Sequence, residues 1–245
     1  MLIQPYESAI DYGSPFAVLE STVCLDRCAI EEDQADVFRN VPVLSATVLG
    51  LDLLLHSSVV NLDSVSSLVL SDVGATIQAF RANRMEFELA GERPRRLQEC
   101  IANLNLREWH RGVSRRTVSR TPAHAVITAV WDHCRSIAEY SMGVARGIAG
   151  LTAESAYLVG LLHEIDSLPT VLGWRHGSEA IPPNDSLDAA ERWLPDIVPA
   201  GIRARRDHGS STMWGYVLDK AHAWEEAEIG MLQPAGSLGS VTAIS

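Results

Sequence analysis

The sequence has little of several features that define whole classes of protein. It holds 4 cysteines in 245 residues and no CxxC pair, so a disulfide scaffold is not expected. Its longest apolar stretches, at 41–55 and 157–162, are interrupted or short, whereas a membrane span needs about 20 apolar residues. The N-terminus lacks the basic segment and apolar run of a secretory signal. We therefore expect a cytoplasmic protein without a membrane segment.

Two of the cysteines, Cys24 and Cys28, are one helical turn apart. This spacing suits a soft metal, but two thiolates alone leave a zinc site incomplete. Buried free cysteine is common in protein cores. We therefore favour packing over metal binding for this pair.

Basic residues are also few. The chain has 20 lysines and arginines against 31 acidic residues, and its net charge of −11 argues against binding to nucleic acid. The segment 81–120 is the exception, with ten arginines against five acidic residues. We favour a solvated helical surface for this segment, because charge runs are usually that.

The alternative for the basic segment is a surface that meets an acidic protein or RNA. Modules that bind RNA interleave aromatic side chains for base stacking, and Trp109 is the one nearby candidate. The arginines that would form such a surface are Arg93, Arg95, Arg96, Arg111, Arg115, Arg116 and Arg120.

Apolar residues are plentiful, and their spacing indicates helices. The apolar content is 47% and the mean hydropathy is +0.05, which allows a large buried core. Pro42 suits a first helical turn, Asp63 or Ser64 can cap a second helix, and Ser71-Asp72 a third. Pro94 can open a further helix. Hairpin turns, period-2 alternation and internal repeats are all missing, so the predicted fold class is all-α.

The second half of the chain carries the strongest helical pattern. A helix beginning at Thr121-Pro122 has one stripe that holds Val126, Val130, His133, Ile137 and Ser141. Thr152 can cap the next helix, in which Ala156 and Val159 lead to His163. Later helices are predicted from Ser186 or Asp188, over 196–207 and over 211–227.

Histidines at inward-facing positions are the candidates for chemistry. An apolar stripe rarely carries imidazole, because a buried imidazole needs a hydrogen-bond partner or a metal. His133, the pair His163-Glu164 and His222 could together surround one divalent cation. The HExxH pattern of zinc proteases fails, because Ser167 stands at its second histidine. Nucleotide-binding GxxxxGK[ST] and G-x-S-x-G motifs are missing as well.

Five ordered landmarks resemble the HD superfamily of helical metal-dependent phosphohydrolases, and within it the HD-related output domain, HDOD. The landmark GLLHEI at 160–165 is similar to the family's "GLLHDIG". The landmarks are NVPVL at 40–44, SDVG to RAN at 71–83, WDHC to Ala at 131–138, GLLHEI at 160–165 and WLPDIV at 193–198.

The resemblance implies an all-α, two-lobed bundle over 40–228, with lobes at 40–120 and 121–228. An N-terminal extension would occupy 1–39 and a disordered tail 229–245. The family's metal ligands would fall on His133, His163, Glu164 and, in the last helix, His222. Glu164 stands where the family has aspartate, and His222 where catalytic members carry a second one. The extra methylene of glutamate displaces its oxygens, which lowers the rate of a hydrolytic site, and the loss of the second aspartate weakens binding of a hard cation.

We therefore expect no catalytic residues, with His133, His163, Glu164 and His222 as a candidate, vestigial metal site. The resemblance implies a non-catalytic output module of bacterial signal transduction that acts through a protein partner. We also expect no binding to nucleic acid or membrane, from the charge and hydropathy above, and no cofactor. The alternative is a residual metal-dependent phosphohydrolase that uses the same four residues and a divalent transition metal.

Overall fold

The computed structural model describes residues 38–85, 89, 91, 93–94, 96–116, 122–173, 175–176, 179–180 and 183–232. Most of the predicted N-terminal extension, including Cys24 and Cys28, lies outside these residues, as do Arg95, Arg120 and the end of the predicted tail. The described chain is helical apart from loops and one minimal strand pair, so the all-α prediction is confirmed.

The first half of the described chain forms short helices that pack on one another. They are α1 (Ser45–Leu55), α2 (Leu62–Leu70), α3 (Val73–Ala82), α4 (Leu97–Asn103) and α5 (Leu106–Ser114). Contacts join α1 to α2 and α5, α2 to α3 and α4, and α3 to α4.

The second half is built around one long helix, α6, which packs against α7 and α11. Strands β1 (Arg175–His176) and β2 (Glu179–Ala180) form an antiparallel pair of two residues each. The helices are α6 (Pro122–Ala145), α7 (Ala153–Leu161), α8 (Leu168–Val171), α9 (Pro183–Glu191), α10 (Ile197–His208) and α11 (Met213–Leu232).

Polar caps set several helix starts. Asp72 caps α3 by accepting from the Ala75 amide at 3.0 Å, and Thr152 caps α7 by accepting from the Ser155 amide at 3.1 Å, as predicted. The cap of α2 is Asn61, whose side chain accepts from two amides, so the predicted cap at Asp63 or Ser64 is wrong. Asn61 has the extended backbone that lets a side chain reach forward to those amides.

Other predicted boundaries are displaced by two to five residues. Helix α1 begins at Ser45 instead of near Pro42, because Leu44 is extended and its amide donates to Asp72 Oδ2 at 2.8 Å. Helix α4 begins at Leu97 instead of Pro94. Helix α9 begins earlier than Ser186 or Asp188, and α11 later than Ser211, while α10 agrees within one residue. Helix α11 also extends through 229–232, which we had assigned to the disordered tail.

The buried stripe of α6 is rotated from the predicted one. Val126 is 53% exposed, so its assignment to the core is wrong. The stripe instead follows spacings of four and three residues, which is typical of a helix packed on neighbouring helices. The predicted members Ile137 and Ser141 are buried, and the other buried residues of α6 are Ile127, Trp131, Cys134, Ala138 and Ala145.

One hydrophobic core runs through both halves of the described chain. Phe38, which we had placed in the extension, is fully buried and packs edge-on against Trp193 with ring centroids 5.5 Å apart. The fully buried Asp72 also accepts from the Trp131 indole N–H at 2.9 Å, which links α3 to α6. The division into lobes at residue 120 stays a prediction. None of the described helices combines the length and apolar character that a bilayer crossing requires.

A candidate metal centre

Three histidines from three separate elements meet inside the second half. His133 lies on α6, His163 in the turn after α7, and His222 on α11. Their ring centroids are 5.0 to 5.3 Å apart. One nitrogen from each ring lies within 4.8 Å of the others. The structure therefore brings together the three histidines that the sequence analysis singled out.

Close packing between α6 and α7 sets the position of His163. A Cβ on Gly160 would come within 2.7 Å of the Ala138 Cα, so glycine allows the two backbones to touch. Helix α7 ends at Leu161, and His163 follows in a turn instead of extending the helix as predicted. Its ring still points inward, and the residue is only 4% exposed.

The hydrogen bond of His163 fixes which ring nitrogen is left to act as a ligand. Its Nδ1 lies 2.7 Å from the Gly160 carbonyl oxygen, which can only accept, so Nδ1 carries the proton. In the neutral ring, Nε2 then presents a lone pair. Nε2 is buried and has no hydrogen-bond partner. Such an atom is a natural metal ligand.

Glu164 lies beside this nitrogen. Its Oε1 is 3.3 Å from His163 Nε2, but the contact does not have the geometry of a hydrogen bond. Its other oxygen accepts from the Ser167 hydroxyl at 2.6 Å. A proton on His163 Nε2 would stabilise the Glu164 carboxylate and lower its pKa to about 2, with burial opposing and Ser167 assisting. Glu164 is not part of the group of three converging nitrogens.

His133 is held by a carboxylate that the sequence analysis missed. Its Nδ1 donates to Glu225 Oε2 at 2.7 Å, and the Glu225 side chain is only 14% exposed. The other nitrogen of a neutral His133 is therefore free to act as an acceptor or ligand. Glu225 is three residues after His222 on α11, a spacing that puts both on one helix face. That spacing could have identified it.

His222 completes the cluster as a neutral imidazole. Its Nε2 is buried without a hydrogen-bond partner. The pKa of His222 is lowered to about 4, first by burial and then by the nearby His163, Arg205 and His133. The neighbouring Cys134 is buried, and burial raises the pKa of its thiol far above the ordinary value. Cys134 is therefore an inert core residue.

The donor set decides which cation these residues fit. Three neutral imidazoles suit zinc or another late transition metal, while Mg²⁺ and Ca²⁺ require oxygen ligands. The two unpartnered buried nitrogens of His163 and His222 are what such an ion would satisfy. Asp166 stays outside the cluster, and burial followed by the charge of Glu164 raises the pKa of its carboxyl.

Two cavities are lined in part by residues of the cluster. One of about 310 Å³ is lined by His163, Glu164 and Asp166 together with Arg205 and Arg206. The other, of about 440 Å³, is lined by His133 and Glu225 among other residues. The first cavity also has cationic groups, of which Arg205 pairs with Asp219 and Arg206 with Asp207.

The basic segment is partly neutralised by the other half of the chain. Arg93 pairs with Asp196 and lies 3.9 Å from Glu191. Arg96 Nε lies 3.5 Å from Glu154 Oε2. These two arginines therefore contribute contacts within the chain, while the predicted absence of nucleic-acid binding stays a prediction.

The fold and the cluster define an all-helical bundle with a three-histidine centre. Crystal structures of the MmoQ response regulator from Methylococcus capsulatus str. Bath are similar to it, with a TM-score of 0.60 and 15% sequence identity. That match covers 79% of this chain and 89% of the regulator chain. For a fragment of the regulator (20–298), the coverages are 80% and 87%. No protein-family model and no curated protein matches this sequence. The similarity shows a shared fold.

Proposed function

We propose that this chain is a non-catalytic output module of the HDOD type, which acts through protein contacts in a bacterial signalling pathway. The observation that carries the proposal is the donor set of the centre. Its converging ligand atoms come from His133, His163 and His222, with no carboxylate among them in the described chain. A phosphohydrolase of the HD superfamily depends on acidic ligands to hold its metal and water.

The similarity in fold to a response regulator supports the same proposal. The five sequence landmarks lie on packing elements, and several of their residues are fully buried. Trp131 and Trp193 are 1% exposed, and Asp72 is 0% exposed. A scaffold that keeps these packing residues while its acidic ligands have changed is what a module that works by contact requires.

The test is an assay of hydrolysis on the purified full chain with Mn²⁺, Fe²⁺ or Zn²⁺. The substrates are p-nitrophenyl phosphate, nucleoside triphosphates and cyclic dinucleotides. We expect the wild type, His163→Ala and His56→Ala to give the same background. His56 is the control because its side chain is 76% exposed and it lies on α1's C-terminal side, outside the cluster. Turnover that His163→Ala abolishes and His56→Ala retains would refute the proposal.

The second candidate is a residual metal-dependent phosphohydrolase that uses His133, His163, Glu164 and His222. The cavity that His163 and Glu164 share with Arg205 and Arg206 favours it, because guanidinium groups can offset the charge of a phosphoester. A bound metal would supply a water of lowered pKa. The histidines would hold the ion and the arginines would orient the substrate. The same assay decides between the two candidates.

A further inference from the structure

We propose that His133, His163 and His222 form a zinc-selective site, and that Glu225 is the positioning residue that holds His133 in its ligating form. The inference goes beyond the proposed function, because a module that acts by contact could work with or without such an ion. It also differs from the site that the sequence resemblance implies, which includes Glu164 and omits Glu225.

The distances favour one shared ion. The three nitrogens lie within 4.8 Å of one another. In a tetrahedral site with zinc–nitrogen bonds of about 2.1 Å, such nitrogens are about 3.4 Å apart. Each ring therefore has to move by less than about 1 Å, which side-chain rotation can provide. The ion would join α6, the turn after α7, and α11.

The hydrogen bonds have already oriented two of the rings for this role. His163 gives its Nδ1 proton to the Gly160 carbonyl, and His133 gives its own to Glu225. In zinc sites, the ligating histidine typically donates its other N–H to a carbonyl or a carboxylate in this way. When each ring is neutral, its second nitrogen therefore carries a lone pair that can bind the ion.

The independent observation is an unpartnered atom inside the cluster. His163 is 4% exposed, and its Nε2 has no hydrogen-bond partner. The His222 Nε2 is likewise buried and unpartnered. Buried polar atoms without partners are rare because they cost free energy, and a bound cation would remove that cost at both atoms.

Selectivity follows from the ligand atoms. Imidazole nitrogen binds zinc and other late transition metals far better than it binds magnesium or manganese. Glu164 could have supplied a harder oxygen ligand, but one of its oxygens accepts from Ser167 and neither belongs to the converging group. The remaining coordination position is left for water or an anion.

The experiment measures zinc binding by the full chain, stripped with a chelator and titrated against a chromophoric competitor. We expect one Zn²⁺ per chain, no competition from Mg²⁺ or Mn²⁺, and a visible spectrum of tetrahedral Co²⁺ with cobalt in its place. Zinc should also raise the Tm, because it binds the folded state. Fewer than about 0.1 zinc per chain would overturn the proposal, since a site formed by folding should fill.

The variants separate the ligands from the positioning residue. Glu225→Ala should weaken zinc binding by 10- to 100-fold and alter the Co²⁺ spectrum. Glu225→Gln, which keeps an acceptor for His133, should recover part of that loss. Glu226→Ala is the control, because Glu226 is exposed and adjacent on α11. Equal affinities for wild type, Glu225→Ala and Glu225→Gln would overturn the role of Glu225.

His163→Ala and His222→Leu should each remove stoichiometric zinc binding, with circular dichroism used to check folding. The second variant keeps the experiment decisive if the first fails to fold. Stoichiometric zinc in folded His222→Leu would overturn the ligand assignment. Zinc binding without hydrolysis supports both proposals, while hydrolysis with zinc bound refutes only the proposed function.

Discussion

Two of the buried polar centres in the described part of the chain differ in how fully their atoms are paired. Asp72 accepts from the amides of Leu44 and Ala75 and from the Trp131 indole, so both of its oxygens have partners. The histidine cluster leaves Nε2 of His163 and of His222 unpaired. The Asp72 centre, whose oxygens are all paired, is called the saturated centre, and the histidine cluster the unsaturated centre. A saturated centre stabilises a fold, whereas an unsaturated one can still bind a ligand. The first is therefore structural and the second is the candidate site.

The largest expected effect comes from removing the saturated centre. Asp72→Ala leaves the buried Ala75 amide, the buried Trp131 indole N–H and the half-buried Leu44 amide without this acceptor, and it removes the cap of α3. We expect a loss of about 3 kcal/mol or more in the free energy of unfolding. Urea denaturation measures it.

The control is Asp63→Ala, because Asp63 is an exposed acidic residue near the start of α2. We expect a change within about 0.5 kcal/mol there. If Asp72→Ala unfolded at the same urea concentration as the control, the saturated centre would not be structural.

A smaller loss is expected from disturbing the backbone that supports the histidines. The Cβ of Gly160→Ala would meet the Ala138 Cα at 2.7 Å and the Ile137 carbonyl oxygen at 2.8 Å. Backbone atoms cannot turn away, so α6 and α7 must separate. We expect a net loss of about 1–3 kcal/mol, despite the better helix propensity of alanine. Thermal and urea unfolding check this.

Gly143 offers a matched control on α6. Its added Cβ would come no closer than 3.4 Å to the Trp224 ring, an ordinary contact distance. Gly143→Ala should therefore leave stability unchanged or raise it by up to about 1 kcal/mol. Equal losses in the two variants would show that the contact at Gly160 is not special.

The saturated centre could be predicted only in part from the sequence. Asp72 follows Ser71 and precedes an apolar helix, so its capping role was predictable from local chemistry. Its bonds to Leu44 and Trp131 join residues 28 and 59 positions away, and no local pattern encodes them. The same limit explains why α1 was expected to begin near Pro42. The bond from the Leu44 amide delays its start.

The histidine cluster was more predictable, because imidazole is unusual on an apolar helix face. That signal identified His133, His163 and His222, which the structure brings together. Glu225 was missed because a glutamate on a helix is ordinary, and only its spacing from His222 marks it. Val126 was misplaced because two neighbouring stripes of α6 are both apolar. Tertiary packing decides which one is buried.

The pH dependence of stability tests whether burial favours the neutral form of the Asp72 carboxyl in the saturated centre. Burial raises the pKa of Asp72 above its ordinary value, while its amide, Thr47 and Trp131 donors oppose the rise. None of these donors titrates near neutral pH. With the folded pKa above the unfolded one, stability from this group is fully present below about pH 4 and is lost as pH rises through the raised pKa.

The Asp72→Asn variant has no titratable group at this position. A comparison with wild type therefore isolates the contribution of the Asp72 carboxyl to the pH dependence of stability. The stability difference between wild type and Asp72→Asn should shrink as the pH rises above about 4 and through the raised pKa of Asp72. Urea denaturation at several pH values measures this difference. A difference that grows with pH would mean that the donors keep the carboxylate ionised in spite of its burial.

The smallest expected effect is at the unsaturated centre itself. His222→Leu replaces an imidazole whose buried Nε2 has no partner with an apolar side chain of similar size. Because no hydrogen bond of that atom is lost, the metal-free variant should match the wild type within about 1 kcal/mol. Denaturation in the presence of a chelator measures this. A loss as large as that of Asp72→Ala would mean that the histidine cluster, like the carboxylate, exists to hold the fold together. A near-zero change would leave ligand binding as the reason for placing three imidazoles in a core.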